Sequence, residues 1–340
     1  MADRISMLPD DVICNILSFL PTQDVVSTSL LSKRWKPLWR SVPSLYFDDQ
    51  SYLINNNSYS YVCFQKFICN TMLARNANEP IQLPSKVSLL KLRSCIFSCE
   101  TLVVLKLVGL DVDVFSSVDL PKLKSMYLND IGFPEEKNLV ELLSGCPILE
   151  NLEVYYLFFN GVSSTPTSNK NVKRLSKLVR ADIYCIAFDI PLKAICNVEF
   201  LRIDKLLLYP DGIPVFPNLT HLELKFGSDM NWHLVLRIIK KSPKLQTFVL
   251  NMEASAADMI WIPTYAVPNC LSSLRICSIT SFEGTESELH FVKYILQNSG
   301  VLRAMTIRTR PSLRLEWKYE MLQELSLCSR SSTSCELSFE

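Results

Sequence analysis

Residues 216–250 read FPNLTHLELKFGSDMNWHLVLRIIKKSPKLQTFVL, and the order within them decides the fold. Leu219, Leu222 and Leu224 follow a pattern of apolar-x-x-apolar-x-apolar, and Leu245, Phe248 and Leu250 repeat it 26 residues later. Side chains of a strand alternate, so the last two apolar positions of each match point inward and the residues between them point out. Between the two matches, Trp232 to Lys241 forms a short helical stretch that covers the opposite face. Pro217 and Pro243 stand just before the matches and end one connection before the next strand begins. Strand, helix and strand at this spacing imply neighbouring strands that run parallel.

The same pattern starts at Leu102, Leu123, Leu149, Leu178, Val198, Leu219, Leu245, Leu271, Leu302 and Leu322. Its spacings of 21, 26, 29, 20, 21, 26, 26, 31 and 20 residues match leucine-rich repeats, whose period is about 20 to 29. Helical stretches at Asn138 to Ser144 and Leu289 to Asn298 are expected on the convex side, and Pro121 and Pro147 mark further junctions. Upstream, Ser41 to Asp49 reads as a first strand, Gln50 to Ser60 as a loop and Tyr61 to Arg75 as a helix. Val87 to Leu92 also fits the pattern but precedes Leu102 by only 15 residues, too few for a full repeat. The array is therefore expected to begin with a shortened, frayed or repacked segment.

Ahead of it lies Leu8 to Trp39, LPDDVICNILSFLPTQDVVSTSLLSKRWKPLW. Pro9 suits a first helical position, and Asp10 and Asp11 place negative charge at the positive end of the helix dipole. Val12, Ile13, Ile16, Leu17 and Leu20 form a stripe wide enough for more than one neighbour before Pro21 stops the helix. Thr22 is expected to cap a second helix carrying Val25, Val26 and Leu30, and Ser32 a third carrying Trp35, Leu38 and Trp39. Three helices in about forty residues stand near the size below which a lone core needs help from a partner.

The ordered set Leu8-Pro9-Asp10, Ile16-Leu17, Leu20-Pro21, Asp24-Val25, Ser29, Ser32-Lys33-Arg34-Trp35 and Leu38-Trp39 resembles the F-box family. That resemblance implies docking on a Skp-type adaptor and, through it, on the cullin of an SCF ubiquitin ligase. Leu8, Pro9, Ile13, Ile16, Leu17, Leu20, Val25 and Trp35 are the residues it assigns to the adaptor. Near the other terminus, Val267-Pro268-Asn269-Cys270-Leu271, Gly284 with Glu286 and Glu288, Val292 to Leu296, Leu302 to Ile307, Lys318 to Leu322 and Arg330 to Phe339 resemble the FBD domain. That domain accompanies F-box and leucine-rich segments in plant proteins, in which the stretch before Ser98 is usually longer. The expected fold class is α/β: a three-helix F-box, then an irregular leucine-rich-repeat solenoid with a curved parallel sheet, then the FBD region. The expected boundaries are 1–48 for the F-box, 49–97 for a linker and shortened start of the array, 98–259 for the repeats and 260–340 for the FBD domain.

Composition narrows the function. With 48% hydrophobic residues and 8 glycines this is a folded chain, and a net charge of +1 gives no general reason to expect nucleic acid or an anionic membrane as partner. Arg237, Lys240 and Lys241 read as a solvated helix face. No signal-peptide order and no uninterrupted apolar run of about eighteen residues is present, so a soluble protein of the nucleus or cytoplasm is expected. The 12 cysteines are scattered, without paired CxxC or nearby histidine, and read as buried free thiols. His221, His233 and His290 lie on different repeats, and neither a nucleophile elbow nor a Gly-rich phosphate loop occurs. No catalytic residue, metal or cofactor is expected.

A target protein is instead expected on the outward strand positions: Tyr127, Asn129, Asn151, Glu153, Tyr155, Arg180, Asp182, Tyr184, Arg202, Asp204, His221, Glu223 and Lys225. Tyr and Arg combine large contact area with polar reach, which favours them at interfaces. The loop Ser163 to Asn171 reads as a loop and no more. The reading that follows is a non-catalytic receptor subunit of a ubiquitin ligase. Its alternative is a scaffold that binds partners without promoting degradation, and an enzyme would need a cluster of titratable groups that the sequence lacks.

Overall fold

The computed structural model describes residues 5, 7–48, 58–76, 97–112, 115, 117–159, 173–184, 192–204, 213–226, 232–252 and 269–340. They fall into two compact units, Met1–Leu178 and Val179–Glu340.

The first unit opens with α1 (Asp10–Leu17), α2 (Thr22–Ser27) and α3 (Trp35–Leu38). Ile13, Cys14, Leu17, Val25, Trp35, Leu38, Trp39 and Val42 pack into one core, against which Leu8 and Val26 rest. Pro9 takes the cap position of α1, so the helix starts at Asp10, one residue later than the sequence implies. Thr22 does not cap α2 but is its first residue. Its buried hydroxyl accepts the backbone N–H of Tyr46 at 2.8 Å, and so ties the helices to β1 (Ser44–Asp48).

β1 pairs in parallel with β2 (Val104–Asp111), from Ser44 opposite Val104 to Asp48 opposite Val108. β3 (Ser125–Phe133) and β4 (Asn151–Phe159) follow, each parallel to its predecessor. Leu105, Leu107, Met126, Leu128, Leu152 and Val154 are the inward side chains, and all are buried. α4 (Ser58–Asn76) buries Phe64, Ile68 and Met72, and its Phe67 ring meets Phe47 of β1 edge-on at 6.1 Å. From the last turn of α4, Arg75 donates to the carbonyls of Val42 at 2.7 Å and Trp39 at 3.3 Å, and burial pushes its pKa down. α4 thus fastens the helical module to the first strand. α5 (Glu136–Ser144) packs Leu139, Leu142 and Leu143 inward. Val87 to Leu92 and Ser163 to Asn171 lie outside the described residues.

The second unit carries β5 (Arg180–Tyr184), β6 (Phe200–Asp204), β7 (His221–Phe226), α6 (Trp232–Lys240), β8 (Thr247–Met252), β9 (Ile276–Phe282), α7 (Glu286–Asn298), β10 (Ala304–Thr309), α8 (Leu315–Ser326) and β11 (Glu336–Phe339). Its strands pair in chain order and in parallel throughout. The expected α/β repeat plan therefore holds within each unit.

Two strand assignments shift. Leu271 lies in a 3-10 turn, Asn269–Ser273, and Leu274, Cys277 and Ile279 take the inward positions three residues later, with Cys277 opposite Phe248. LRICSI satisfies the apolar pattern as well as LSSLRI does, and pairing with β8 decides between them. The segment from Leu322 is helix α8, because Met321 and Leu325, four apart, are the residues it buries. The last strand is β11, paired with β10.

Candidate interaction surfaces

The helical module turns a second apolar face outward. Phe19 is 88% exposed, Leu30 87%, Met7 79% and Leu31 67%, and Ile5, Val12, Ile16 and Leu20 are exposed beside them. Of the expected adaptor residues, Ile16, Leu20 and Pro9 face out, and Leu8 is half-buried against the core. Ile13, Leu17, Val25 and Trp35 lie inside the module's own core, so they shape the outward face and do not form it. A single helical stripe merges the two faces of α1, which is why Ile13 and Leu17 looked available, while Val25 and Trp35, on α2 and α3, were assigned by the family resemblance alone. Phe19, Leu30 and Leu31 were missed. Their signal was being apolar yet off the stripe. Arg34 closes the module, donating from Nε to Asp10 Oδ1 at 3.0 Å and from Nη2 to the Leu8 carbonyl.

In the first unit the outward strand positions form cross-strand rows. Tyr46, Lys106, Tyr127 and Glu153 align in one row, and Asp48, Val108, Asn129 and Tyr155 in the next. The Tyr127 and Tyr155 rings are 5.5 Å apart, and the Tyr46 hydroxyl donates to Asp48 Oδ2 at 2.8 Å. That bond to a carboxylate, with burial, pushes the Tyr46 pKa up to about 12. Burial, and then the Glu153 charge, raises Tyr127. Asn151 donates to Ser125 Oγ at 3.3 Å. Tyr46 and Lys106 belong to this face although the sequence reading began it at Tyr127.

The second unit gathers Arg180, Asp182, Arg202, His221 and Glu223 into an ion-pair network. Arg180, Phe200 and His221 form one row, and Asp182, Arg202 and Glu223 the next. Arg202 Nη1 donates to Asp182 Oδ2 at 2.8 Å, and its Nε donates to Glu223 Oε2 at 2.5 Å. His221 Nε2 meets Glu223 Oε1 at 2.8 Å. The His221 bond, followed by the bond and charge of Arg202, outweighs burial and pulls Glu223 down to about 2. Phe200 sits between the Arg180 guanidinium, 3.5 Å from its ring centre, and the stacked His221 ring at 4.6 Å. Lys225 Nζ donates to the Tyr184 hydroxyl at 2.8 Å. Asp182 and Asp204 are buried beneath this layer. Phe200 was missed by the sequence reading; its signal was an aromatic residue at an outward strand position, in register with an arginine and a histidine.

In the second unit this surface is polar and aromatic, with Asp182, Arg202 and Glu223 matched to one another. Its one histidine is engaged by a carboxylate. Among the described residues, no group of three or more His, Cys, Asp or Glu is placed to hold a metal, and no helix is long and apolar enough to cross a membrane. The described cysteines are free thiols, and burial pushes Cys146 and Cys277 up to about 12, away from the reactive thiolate form.

Comparison with known families matches residues 5–47 to the F-box domain, 122–147 to Leucine Rich Repeat and 265–307 to FBD. The chain carries an F-box, a leucine-rich repeat and an FBD region. An Arabidopsis thaliana F-box/FBD/LRR-repeat protein is 29% identical over 428 aligned positions, covering 99% of each chain. An FBD-associated F-box protein of the same plant is 29% identical, over 99% of this chain and 97% of its own. The first alignment is longer than the chain's 340 residues, so that relative carries segments this chain lacks.

The FBD match includes a built turn. Gly284, at φ +78°, ends the approach to α7, and Thr285 and Glu288 form a reciprocal capping box. The Glu288 carboxylate accepts the N–H groups of Glu283 at 3.0 Å, Gly284 at 2.6 Å and Thr285 at 3.1 Å. It is almost fully buried, and burial raises its pKa against the pull of those donors. A Cβ at Gly284 would lie 1.8 Å from Met321 Sδ, so the turn also seats α8. Gly284 and Glu288, which resembled the FBD domain in sequence, are therefore structural.

Proposed function

We propose that this chain is the substrate-recognition subunit of an SCF-type ubiquitin ligase, docking a Skp-type adaptor through the F-box and a target protein through the outward strand face. The observation that carries the reading is the pair of faces on the F-box. Its own core is complete, yet Phe19, Leu30, Leu31 and Ile16 remain exposed beside it. Several large apolar side chains left exposed on one small folded module mark a protein interface. The F-box match supports a Skp-type adaptor as the partner for it.

The receptor's task is to hold a target near the transfer site of the ligase, which raises effective concentration without chemistry of its own. The packing of Arg75 and Thr22 between helices and first strand supports this role, because a positioned target needs a stiff joint. A scaffold that binds without promoting degradation is the competing reading. Measuring target turnover with the full chain and with a chain lacking residues 1–43 separates the two: the receptor reading requires turnover to depend on those residues.

A further inference from the structure

A groove of about 380 Å³ opens on the second unit along the edge where its strands begin, and Lys244, Arg275 and Arg303 supply its charge. Its neutral lining includes Thr220, Gln246 and Ser273, and it contains no carboxylate. The backbone sets this arrangement. Gln246 N–H donates to the Thr220 carbonyl, Arg275 N–H to that of Gln246 and Arg303 N–H to that of Arg275, at 2.8 to 2.9 Å. Side chains on successive strands therefore start on one line, about 4.8 Å apart.

The same line in the first unit holds Lys124 beside Glu150, with Nζ and Oε1 2.8 Å apart. In the second unit two arginines stand on adjacent strands, where like charges oppose each other. Neither Arg275 nor Arg303 makes an ion pair among the described residues. The nearest carboxylate on the line, Glu336, starts the strand beyond Arg303 and does not bridge to it. Two of the groove's hydroxyls already donate elsewhere, Thr220 to the Glu199 carbonyl at 3.1 Å and Ser273 to that of Pro243 at 3.2 Å. The Lys244 ammonium spends one donor on Asn218. Two guanidinium forks, the ammonium and the Gln246 amide offer donors to a ligand, a set suited to a dianion with several acceptor oxygens.

We propose that this groove binds a phosphomonoester. A nucleic acid would need a longer track of cations than three, and a chain of net charge +1 offers no general field for one. The ester is carried either on a phosphorylated protein segment or on a small organic phosphate. The site draws no residue from the F-box, and its test uses the chain without adaptor, so its failure leaves the docking reading untouched.

Isothermal titration of the full chain tests the proposal with three probes: the peptide Gly-Ala-phosphoserine-Ala-Gly, its unphosphorylated form and free O-phospho-L-serine. The phosphopeptide, or both phosphorylated probes, should bind while the unphosphorylated peptide does not. Arg275→Gln combined with Arg303→Gln should weaken that binding at least about tenfold, the ratio for losing one charge-assisted hydrogen bond. Lys122→Gln, in the first unit, should leave it unchanged. Tighter binding of the phosphopeptide assigns the site to a protein segment, and equal binding of both phosphorylated probes to a small phosphate. Should the double variant fail to fold, Lys244→Gln provides the same comparison. No binding by either phosphorylated probe, equal binding with and without phosphate, or full binding by a folded variant overturns the proposal.

Discussion

Replacing Arg202 by Met should destabilise the second unit by about 2 to 3 kcal/mol, midway between the costs of breaking a buried and an exposed ion pair. Arg202 Nη1 is the close partner of Asp182, whose side chain is only 3% exposed. Without it, Asp182 Oδ2 keeps only Arg180 Nη2 at 3.7 Å, beyond hydrogen-bond distance, and Oδ1 already lacks a partner. Stranding a fully buried carboxylate costs about 3 to 5 kcal/mol. The Arg202 side chain is itself 40% exposed, so water reaches part of the gap and the expected cost falls below that range. Arg308 provides the control, since its pair with Glu340 is more than half exposed on both sides, and Arg308→Met should cost no more than about 1 kcal/mol. Adding Asp182→Asn to Arg202→Met should recover part of the loss, because the stranded charge is gone. Urea unfolding of the purified chain reads all four values, with an unchanged slope showing that the unfolded state is the same. An Arg202→Met cost equal to that of Arg308→Met would refute the claim that the outward face is a coupled, partly buried network.

Glu288→Ala should cost about 3 kcal/mol or more in the same assay, because three N–H groups of the turn before α7 lose their acceptor at once; a cost under about 1 kcal/mol would remove the carboxylate's structural role. Glu223 predicts a pH dependence. Its pKa is depressed in the folded chain, so its stabilisation is present above the ordinary value of 4.5 and is lost as pH falls towards about 2. Glu288, raised by burial, works in the opposite sense and is stabilised by protonation, so the effect must be isolated by difference. The destabilisation caused by Glu223→Gln should be full at pH 6 and shrink steadily from about pH 4.5 towards about pH 2 in unfolding measurements, and a constant difference would count against it.

The repeat plan was legible because each unit obeys one local rule, two inward apolar residues on a strand, and most matches to it became strands. The rule failed where it is degenerate. Leu271 and Leu274 both begin acceptable patterns, and only pairing with β8 chooses between them. Leu322 begins another, but Met321 and Leu325 supply a helical face that buries more securely. The outward candidates were legible as positions and illegible as a network, since alternation gives the side a residue faces and not its cross-strand neighbour. Asp182 and Asp204 face out and are nonetheless covered, which required register to foresee. On the F-box, the stripe on α1 merged residues that hold the core with residues that face solvent, and only packing separated Ile13 and Leu17 from Ile16. Thr22 looked like a cap by its place after Pro21, and its real partner lies 24 residues away in β1.

The most direct test of the receptor account is binding of the full chain to a Skp-type adaptor, with and without the exposed apolar face. Phe19→Asp combined with Leu31→Asp alters two side chains outside the core, so the melting temperature should hold. Burying each at an interface is worth about 1.5 to 3 kcal/mol, so the double variant should lose at least about a hundredfold in affinity. Tight binding by the unaltered chain and that loss in a stably folded variant is the predicted result. Adaptor binding at full affinity by the double variant, or no binding by the unaltered chain, would contradict the account.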